Sequence, residues 1–524
     1  MPAIQHLLPY AHTLLFARSS VNGTVNDGDL AKVVGWVASS KDRGTVDILW
    51  SSCLTIFLCV WIATYPNAPS PNDKWYHHFV DKLNLALIGF LGPDFLFGLA
   101  IGQLASAKKS VKMFREAPEL SHGTTWTLTH GFFADMGGFH LRASDFPQGF
   151  PINAEQLFYL IKHGHLDFPI LTKEEIGSRS KVDNLSKIIT VWQAFWFVVT
   201  EIQRITRGYP ITTLELTAMS FAVVMIATSA SWYFKPSISQ VTILDTKDNR
   251  TIRAIRNFAR LETHPGLPHK YYRTPLDFIS RRGFHLERHW RYYSELTYWV
   301  HFPLFNRQMN VTPWDRFPSD IFLPVDDLIL ILFGFFIQAP FSVCLLVAWN
   351  FHFPTTAERD LWRVCSVYHS VFSFLGMVYF SIHLFTLWKM AGKGKDKRAS
   401  TGSGSNSNNV LRLPTTDEEI SLTRRGAEDS DMSEAADAAR PVVHRKTGLP
   451  KSMSRFEAWL VQWRNISPDQ DPDMEVPLRW IAPIFLASAT YIFCRLYIYI
   501  EDFVGLRSQP QGVYMTVNKF VPFL

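Results

Sequence analysis

The chain has 524 residues, of which 47% are hydrophobic, 14% aromatic and 19% charged, a balance that argues against a disordered chain or a disulfide scaffold. All five cysteines, Cys53, Cys59, Cys344, Cys365 and Cys494, lie inside apolar blocks, so they read as small hydrophobes and not as a metal or redox framework. The net charge of +6 is concentrated in loops without any nucleic-acid recognition motif. It points to anionic lipid headgroups as the partner of those loops, and away from DNA or RNA.

The apolar residues come in blocks about as long as a bilayer is thick. The N-terminal segment, 1–47, begins with an apolar stretch that contains Pro9 and lacks a basic start, which disfavours a signal peptide. The first two spans are expected at Ile48 to Tyr65 and Leu83 to Ala105. Segment 126–141 (WTLTHGFFADMGGFHL) is short and polar and holds Gly137-Gly138, so it reads as partial, re-entrant or interfacial. Ile188 to Arg204 and Leu214 to Phe234, joined across Gly208 and Pro210, read as a helical hairpin that closes a first transmembrane unit over 48–234. The Arg-rich stretch 235–326 reads as a cytoplasmic loop, and Asp327 to Asn350 and Val364 to Trp388 as two further spans within 327–388. Residues 389–479 are Ser-rich and polar, a composition expected of a largely disordered cytoplasmic insert, with Ser430 and Ser433 as generic phosphorylation sites. A seventh span, Trp480 to Ile500, and a tail complete 480–524. The fold class expected is therefore all-α, a polytopic transmembrane helical bundle of about seven spans, integral to an endomembrane or the plasma membrane.

Orientation follows from the basic residues, which accumulate on the cytoplasmic side. Lys108, Lys109, Lys112 and Arg115 follow the second span, Lys389, Lys393, Lys395, Lys397 and Arg398 follow the sixth, and the 235–326 loop adds many arginines. Seven spans put all of these inside if the N-terminus is cytoplasmic and the C-terminus is outside. The cost is a sequon, Asn22-Gly23-Thr24, left in the cytoplasm where it cannot be glycosylated.

Asp94 lies near the middle of the second span, where a carboxylate facing lipid is expensive, so it is expected to face protein or water. Pro93 beside it is expected to kink that helix, and Gly98 and Gly102 share its face at i+4 and i+8, a spacing that permits close packing. Arg495 either snorkels to the interface or pairs with Asp94, with Asp502 or with an anionic substrate. Under seven spans, Glu201, Glu215, Asn350, His369 and Arg495 fall in the outer half, with Gln338 and Asp94 near mid-depth, as a polar funnel open outward. The same residues also fit helix ends that mark the interface. The candidate polar cluster is Asp94, Arg495, His369 and Glu201. His130 and Asp135 stand about 140° apart on a regular helix and share no face. His285 and His289 form one HxxxH pair, with His163 and His165 as a second close pair, too few for a di-metal membrane enzyme. The carboxylates from Asp469 to Glu475 read as a solvated linker. No metal site and no particular cofactor are indicated. Phosphate-loop, nucleophile-elbow, zinc-protease and dinucleotide motifs are all missing from the sequence.

Six stretches, 44–61, 126–139, 180–199 (SKVDNLSKIITVWQAFWFVV), 208–218, 349–363 (WNFHFPTTAERDLWR) and 494–514, resemble a large family of uncharacterised filamentous-fungal multipass membrane proteins. The resemblance implies architecture and a fungal source. It also implies a Pro-Glu dipeptide in the second span where this chain has Pro93-Asp94, the acid kept but one methylene shorter. No activity comes with it. The expected functions are a membrane-embedded enzyme acting on a lipid or isoprenoid with Asp94 as buried acid or base, an ion or small-solute transporter or channel, or a non-catalytic receptor or scaffold.

Overall fold

A computed structural model describes residues 32–39, 42–121, 123–179, 184–238, 240–280, 285–299, 307, 309, 311–400, 463–466 and 471–516. The Asn22 sequon, the side chain of His285 and most of the expected insert, with Ser430 and Ser433, lie outside them. In chain order the main elements are β1 (Val33–Val34), α1 (Thr45–Ile62), α2 (Trp75–Leu91), α3 (Pro93–Glu116), α4 (Leu128–Asp135), β2 (Phe139–Ala143), β3 (Phe146–Ile152), α5 (Ala154–Lys162), α6 (Asn184–Thr206), α7 (Thr213–Ser231), β4 (Thr242–Asp245), α8 (His285–Trp299), α9 (Leu328–Cys344), α10 (Thr356–Ser400), α11 (Leu478–Val504) and β5 (Gln509–Pro510).

Helix α7 is the axis of the bundle. A helix that is apolar all round is one that is enclosed, and Leu214, Leu216, Phe221, Val224 and Met225 are all buried against α1, α3, α6, α9 and α11. Its first turn is fixed by a capping box, in which the Thr212 hydroxyl accepts from Glu215 N and the Glu215 carboxylate accepts from Thr212 N. Helices α6 and α7 form the expected hairpin. Among the described residues five helices are long and apolar enough to cross a membrane, namely α1, α7, α9 extended to Asn350, α10 as far as Ile382 and α11 extended to Arg507; the bent pair α2–α3 makes six if taken as one span.

The stretch expected as the second span is broken. Helix α2 stops at Leu91, with Gly92 N donating to the Ile88 carbonyl, and Pro93 opens α3 after a turn of 119°. Proline loses nothing at the first position of a helix, where its missing N–H has no partner to find; it therefore starts a helix here and does not kink one. Both far ends of the pair lie at the same end of the bundle. Asp73 and Asp81 beside and within α2 bind Arg307, while Lys108 of α3 reaches Asp327 at the start of α9. The pair is a bent helical hairpin whose tip is Gly92-Pro93-Asp94.

Val33 and Val34 pair antiparallel with Pro510 and Gln509, and Arg43 Nε donates to the Val513 carbonyl. The segments flanking α1 and α11, expected on opposite sides, thus meet at one end of the bundle.

The described residues are mostly helical, as expected, with a small sheet in addition. Segment 126–141 forms α4, which packs on α3, and β2, the middle of a three-stranded sheet, antiparallel to β3 (Leu141↔Phe150) and parallel to β4 (Leu141↔Leu244). Phe139, Leu141 and Ala143 alternate into a core with Phe114, Trp126, Phe133, Phe150 and Leu157, while Arg142 turns outward to Asp245. Each large apolar side chain enclosed there stabilises the unit by about 1.5–3 kcal/mol. The 235–326 stretch contributes β4 and α8 to folded structure. Three of its described arginines are buried: Arg256 donates to the Pro275 carbonyl, Arg291 is held between Glu287 at 2.8 Å and Asp320 at 3.0 Å, and Arg316 donates to the Arg307 carbonyl at 2.8 Å.

Candidate functional site

The tip of the hairpin leaves two helix ends inside the bundle, each with unsatisfied backbone groups and a partial charge. At the negative end of α2, Arg495 Nε donates to the Leu91 carbonyl at 3.1 Å and the Tyr499 hydroxyl donates to the Phe90 carbonyl. At the positive end of α3, the Asp94 carboxylate occupies the first turn and accepts from Ser373 Oγ at 3.2 Å and Gln338 Nε2 at 3.3 Å. Residues Tyr491, Arg495 and Tyr499 come from one face of α11 at steps of four, and His369 and Ser373 from one face of α10 at the same step. The Arg495 guanidinium also donates to Tyr499 Oη at 2.7 Å and lies over the Phe221 ring. Arg495 and Asp94 attract each other without a direct ion pair.

His369 is fully enclosed, edge-on to Phe341 and stacked on Tyr491. Neither of its ring nitrogens has a hydrogen bond; the Phe341 carbonyl is the near acceptor, out of hydrogen-bond geometry. Asp94 Oδ1, the Tyr491 hydroxyl and Arg495 Nη1 are likewise buried without a hydrogen-bond partner. Gly92 makes room between two of these groups, since a Cβ there would lie 2.5 Å from Asp94 Oδ1 and 2.9 Å from the Tyr491 hydroxyl.

Of the four residues expected to cluster, Asp94, Arg495 and His369 come together and Glu201 does not. Arg495 does not snorkel; its side chain is wholly buried. Glu201 lies at the end of the bundle where the segments before α1 and after α11 meet, with Arg204 at 3.6 Å, Arg43 at 4.0 Å and, through Arg43, Glu215. Arg204 also ties down the tail through the Val513 and Met515 carbonyls. The expected outward funnel is closed there, and Asn350 is exposed at the surface. Tyr491, Tyr499 and Ser373 belong to the site and were not expected; the signal for them is the i, i+4 spacing to Arg495 and His369. Gly98 and Gly102 do permit close packing, against Phe322 and the Leu323 backbone and not against a helix.

A second concavity, of about 660 Å³, lies between the bundle and the sheet-bearing unit. Asp135 and Glu155 line it. Burial pushes Asp135 up to about 6, and burial with the neighbouring Asp326 carboxylate pushes Glu155 up to about 7. Lys109 donates to Glu155 at 2.7 Å. His130 is turned elsewhere, onto the Thr127 hydroxyl and the Leu171 carbonyl.

Residues 16–263 match a family of unknown function (DUF8562). That stretch contains the hairpin and Asp94 but ends before the helices that supply Gln338, His369, Tyr491 and Arg495. No curated protein and no solved structure gives a significant match to the chain.

Proposed function

We propose that this is an integral membrane protein with six crossing helices, α1, α6, α7, α9, α10 and α11, and a re-entrant hairpin that carries a site for a lipophilic substrate, a lipid or isoprenoid. Asp94, Tyr491 and His369 supply groups able to accept or donate protons, and Arg495 holds the hairpin while leaving one nitrogen free for an anionic group. The observation that carries this reading is the unfilled hydrogen-bonding capacity at the tip. A polar clasp that only holds a helix break is expected to be saturated, because buried polar groups without partners cost about 1–3 kcal/mol each. The orphaned atoms here come from four side chains on three helices.

The basic end of the bundle, with Lys108, Lys112 and Arg115, is the cytoplasmic one by the distribution of charge, and it faces anionic lipid headgroups. A second reading, transport of an ion or small solute, is favoured by the paired half-helices, whose ends meet at a polar cluster within the bundle. Asp94→Asn separates them when the full chain is expressed at an unchanged level. Loss of one species from the lipid extract supports the enzyme, and lost flux in proteoliposomes with an unchanged lipid profile supports transport. Unchanged lipids and unchanged flux overturn both.

A further inference from the structure

A groove of about 270 Å³ runs down the outside of the bundle between α1, α2, α7 and α11. Its walls are almost wholly apolar, formed by Phe57, Trp61, Leu87 and Phe90 among others, and they face the place of the acyl chains in a membrane. Two groups in its lining interrupt that surface. The Tyr499 hydroxyl is committed to the Phe90 carbonyl and Arg495. Asp502 is not committed. It is 1% exposed, and neither carboxylate oxygen has a hydrogen bond; the hydroxyls of Thr213 and Thr217 are its near neighbours, out of hydrogen-bond geometry.

A carboxylate enclosed in an apolar wall, with its two neighbouring hydroxyls not aligned to donate to it, is a costly arrangement that a ligand can relieve. Position along the groove indicates how. Asp502 and Leu214 lie near the end of the bundle where β1 and β5 pair, whereas Trp61 and Leu83 lie toward the opposite end. A molecule with a polar head and one hydrocarbon chain would therefore enter from the leaflet at the terminal end, its head at Asp502 and its chain along Phe90 toward Trp61. The volume sits just below the roughly 300–1,000 Å³ of drug-sized sites, which suits one chain and not a two-chain lipid. The two carboxylate oxygens offer about four acceptor positions. An ammonium, with three donors and a compensating charge, fills them better than a hydroxyl with one.

We infer that this groove binds a single-chain amphiphilic amine, with its ammonium on Asp502. The site stands apart from the hairpin tip and holds whether or not the tip performs chemistry. The test uses the purified full chain in phosphatidylcholine nanodiscs with photoreactive dodecylamine and the matching dodecanol, the labelled peptides being mapped by mass spectrometry. Label from the amine is expected on α1, α2 and α11, at least tenfold above label from the alcohol, and is expected to fall at least tenfold in Asp502→Asn. Cys53→Trp, which fills the groove and leaves Asp502 in place, should remove the label as well. This second variant keeps the site testable if Asp502→Asn fails to fold. Equal labelling by the alcohol overturns the ammonium assignment, and amine labelling that survives either variant, or none in the parent chain, overturns the site.

Discussion

Arg495 and Asp94 stand on opposite sides of one helix break. Arg495 closes the carbonyl end of α2 through Leu91, and Asp94 occupies the amide end of α3, so each charge opposes the partial charge of the helix end it meets. Two charges that are expensive to bury singly thus stabilise a backbone reversal that would otherwise leave polar groups bare among apolar side chains.

Removing either charge should therefore damage the hairpin, and removing both should damage it by less than the sum. Arg495→Met leaves the Leu91 carbonyl and the Asp94 carboxylate uncompensated and is expected to cost about 3–5 kcal/mol. Asp94→Asn, which keeps an acceptor for Ser373, should cost less. Unfolding of the two single variants and the double variant in detergent should give a coupling on the order of 1 kcal/mol. Strict additivity would remove Arg495 and Asp94 from a shared role.

The glycines of α3 make a graded prediction. A Cβ at Gly102 would lie 2.5 Å from the Leu323 carbonyl oxygen, which is backbone and has little freedom to retreat, whereas at Gly98 it would lie 3.3 Å from the Phe322 ring edge. Gly102→Ala should lose roughly 1–3 kcal/mol of stability and Gly98→Ala less. Gly376, inside α10 with nothing within 4 Å, is the control. There alanine should gain up to about 1 kcal/mol from helix propensity. Melting curves of the three variants in one detergent check the order.

Much of the bundle is legible in the sequence because a helix that spans apolar surroundings needs a long apolar block, and α1, α7, α9, α10 and α11 each have one. The hairpin is not, since the block from Leu83 to Ala105 stays apolar through its turn and hydropathy carries no direction. Its local signal is Gly92-Pro93, which fits a helix start as well as a kink. The strands are hidden for a different reason. Phe139 to Ala143 alternates, but one short strand is stable only once β3 and β4 flank it, and β4 arrives about 100 residues later. Depth alone grouped Glu201 with Asp94. Side chains at a common depth meet only if their faces do, and Glu201 faces Arg204 and Arg43.

Lys235 should give the protein a pH signature. It is buried at the end of α7, with Nζ donating to Gln103 Oε1 at 2.9 Å and Asn67 Oδ1 at 3.1 Å above the Trp232 ring, and burial lowers it from 10.5 to about 7. Between those values the unfolded chain holds a proton that the fold does not, so stability contributed by this group climbs as pH rises from about 7 toward 10.5 and is flat below 7. Melting temperature in detergent should therefore rise between about pH 7 and 9 in the parent relative to Lys235→Met. Parallel profiles would show that the amine keeps its proton in the fold.

The hairpin also predicts which residues leave the cytoplasm. With α2 and α3 entering and leaving at one end, the six proposed crossings put both termini on the side opposite Lys108, Lys112, Arg115 and the basic run from Lys389 to Arg398 at the end of α10. Charge places that run in the cytoplasm. The Asn22-Gly23-Thr24 sequon, which seven crossings would strand in the cytosol, then lies where oligosaccharyl transfer takes place. Expression in a eukaryotic cell should give a band that drops on endoglycosidase treatment and is absent in Asn22→Gln. A reporter fused after Leu524 should be shielded from a protease added to intact microsomes, and one inserted near Ser430 should be cut. The same protease pattern with an unglycosylated Asn22 and a protease-accessible N-terminal reporter would mean that the α2–α3 pair crosses the membrane after all, and the opposite pattern at Leu524 and Ser430 would overturn the orientation.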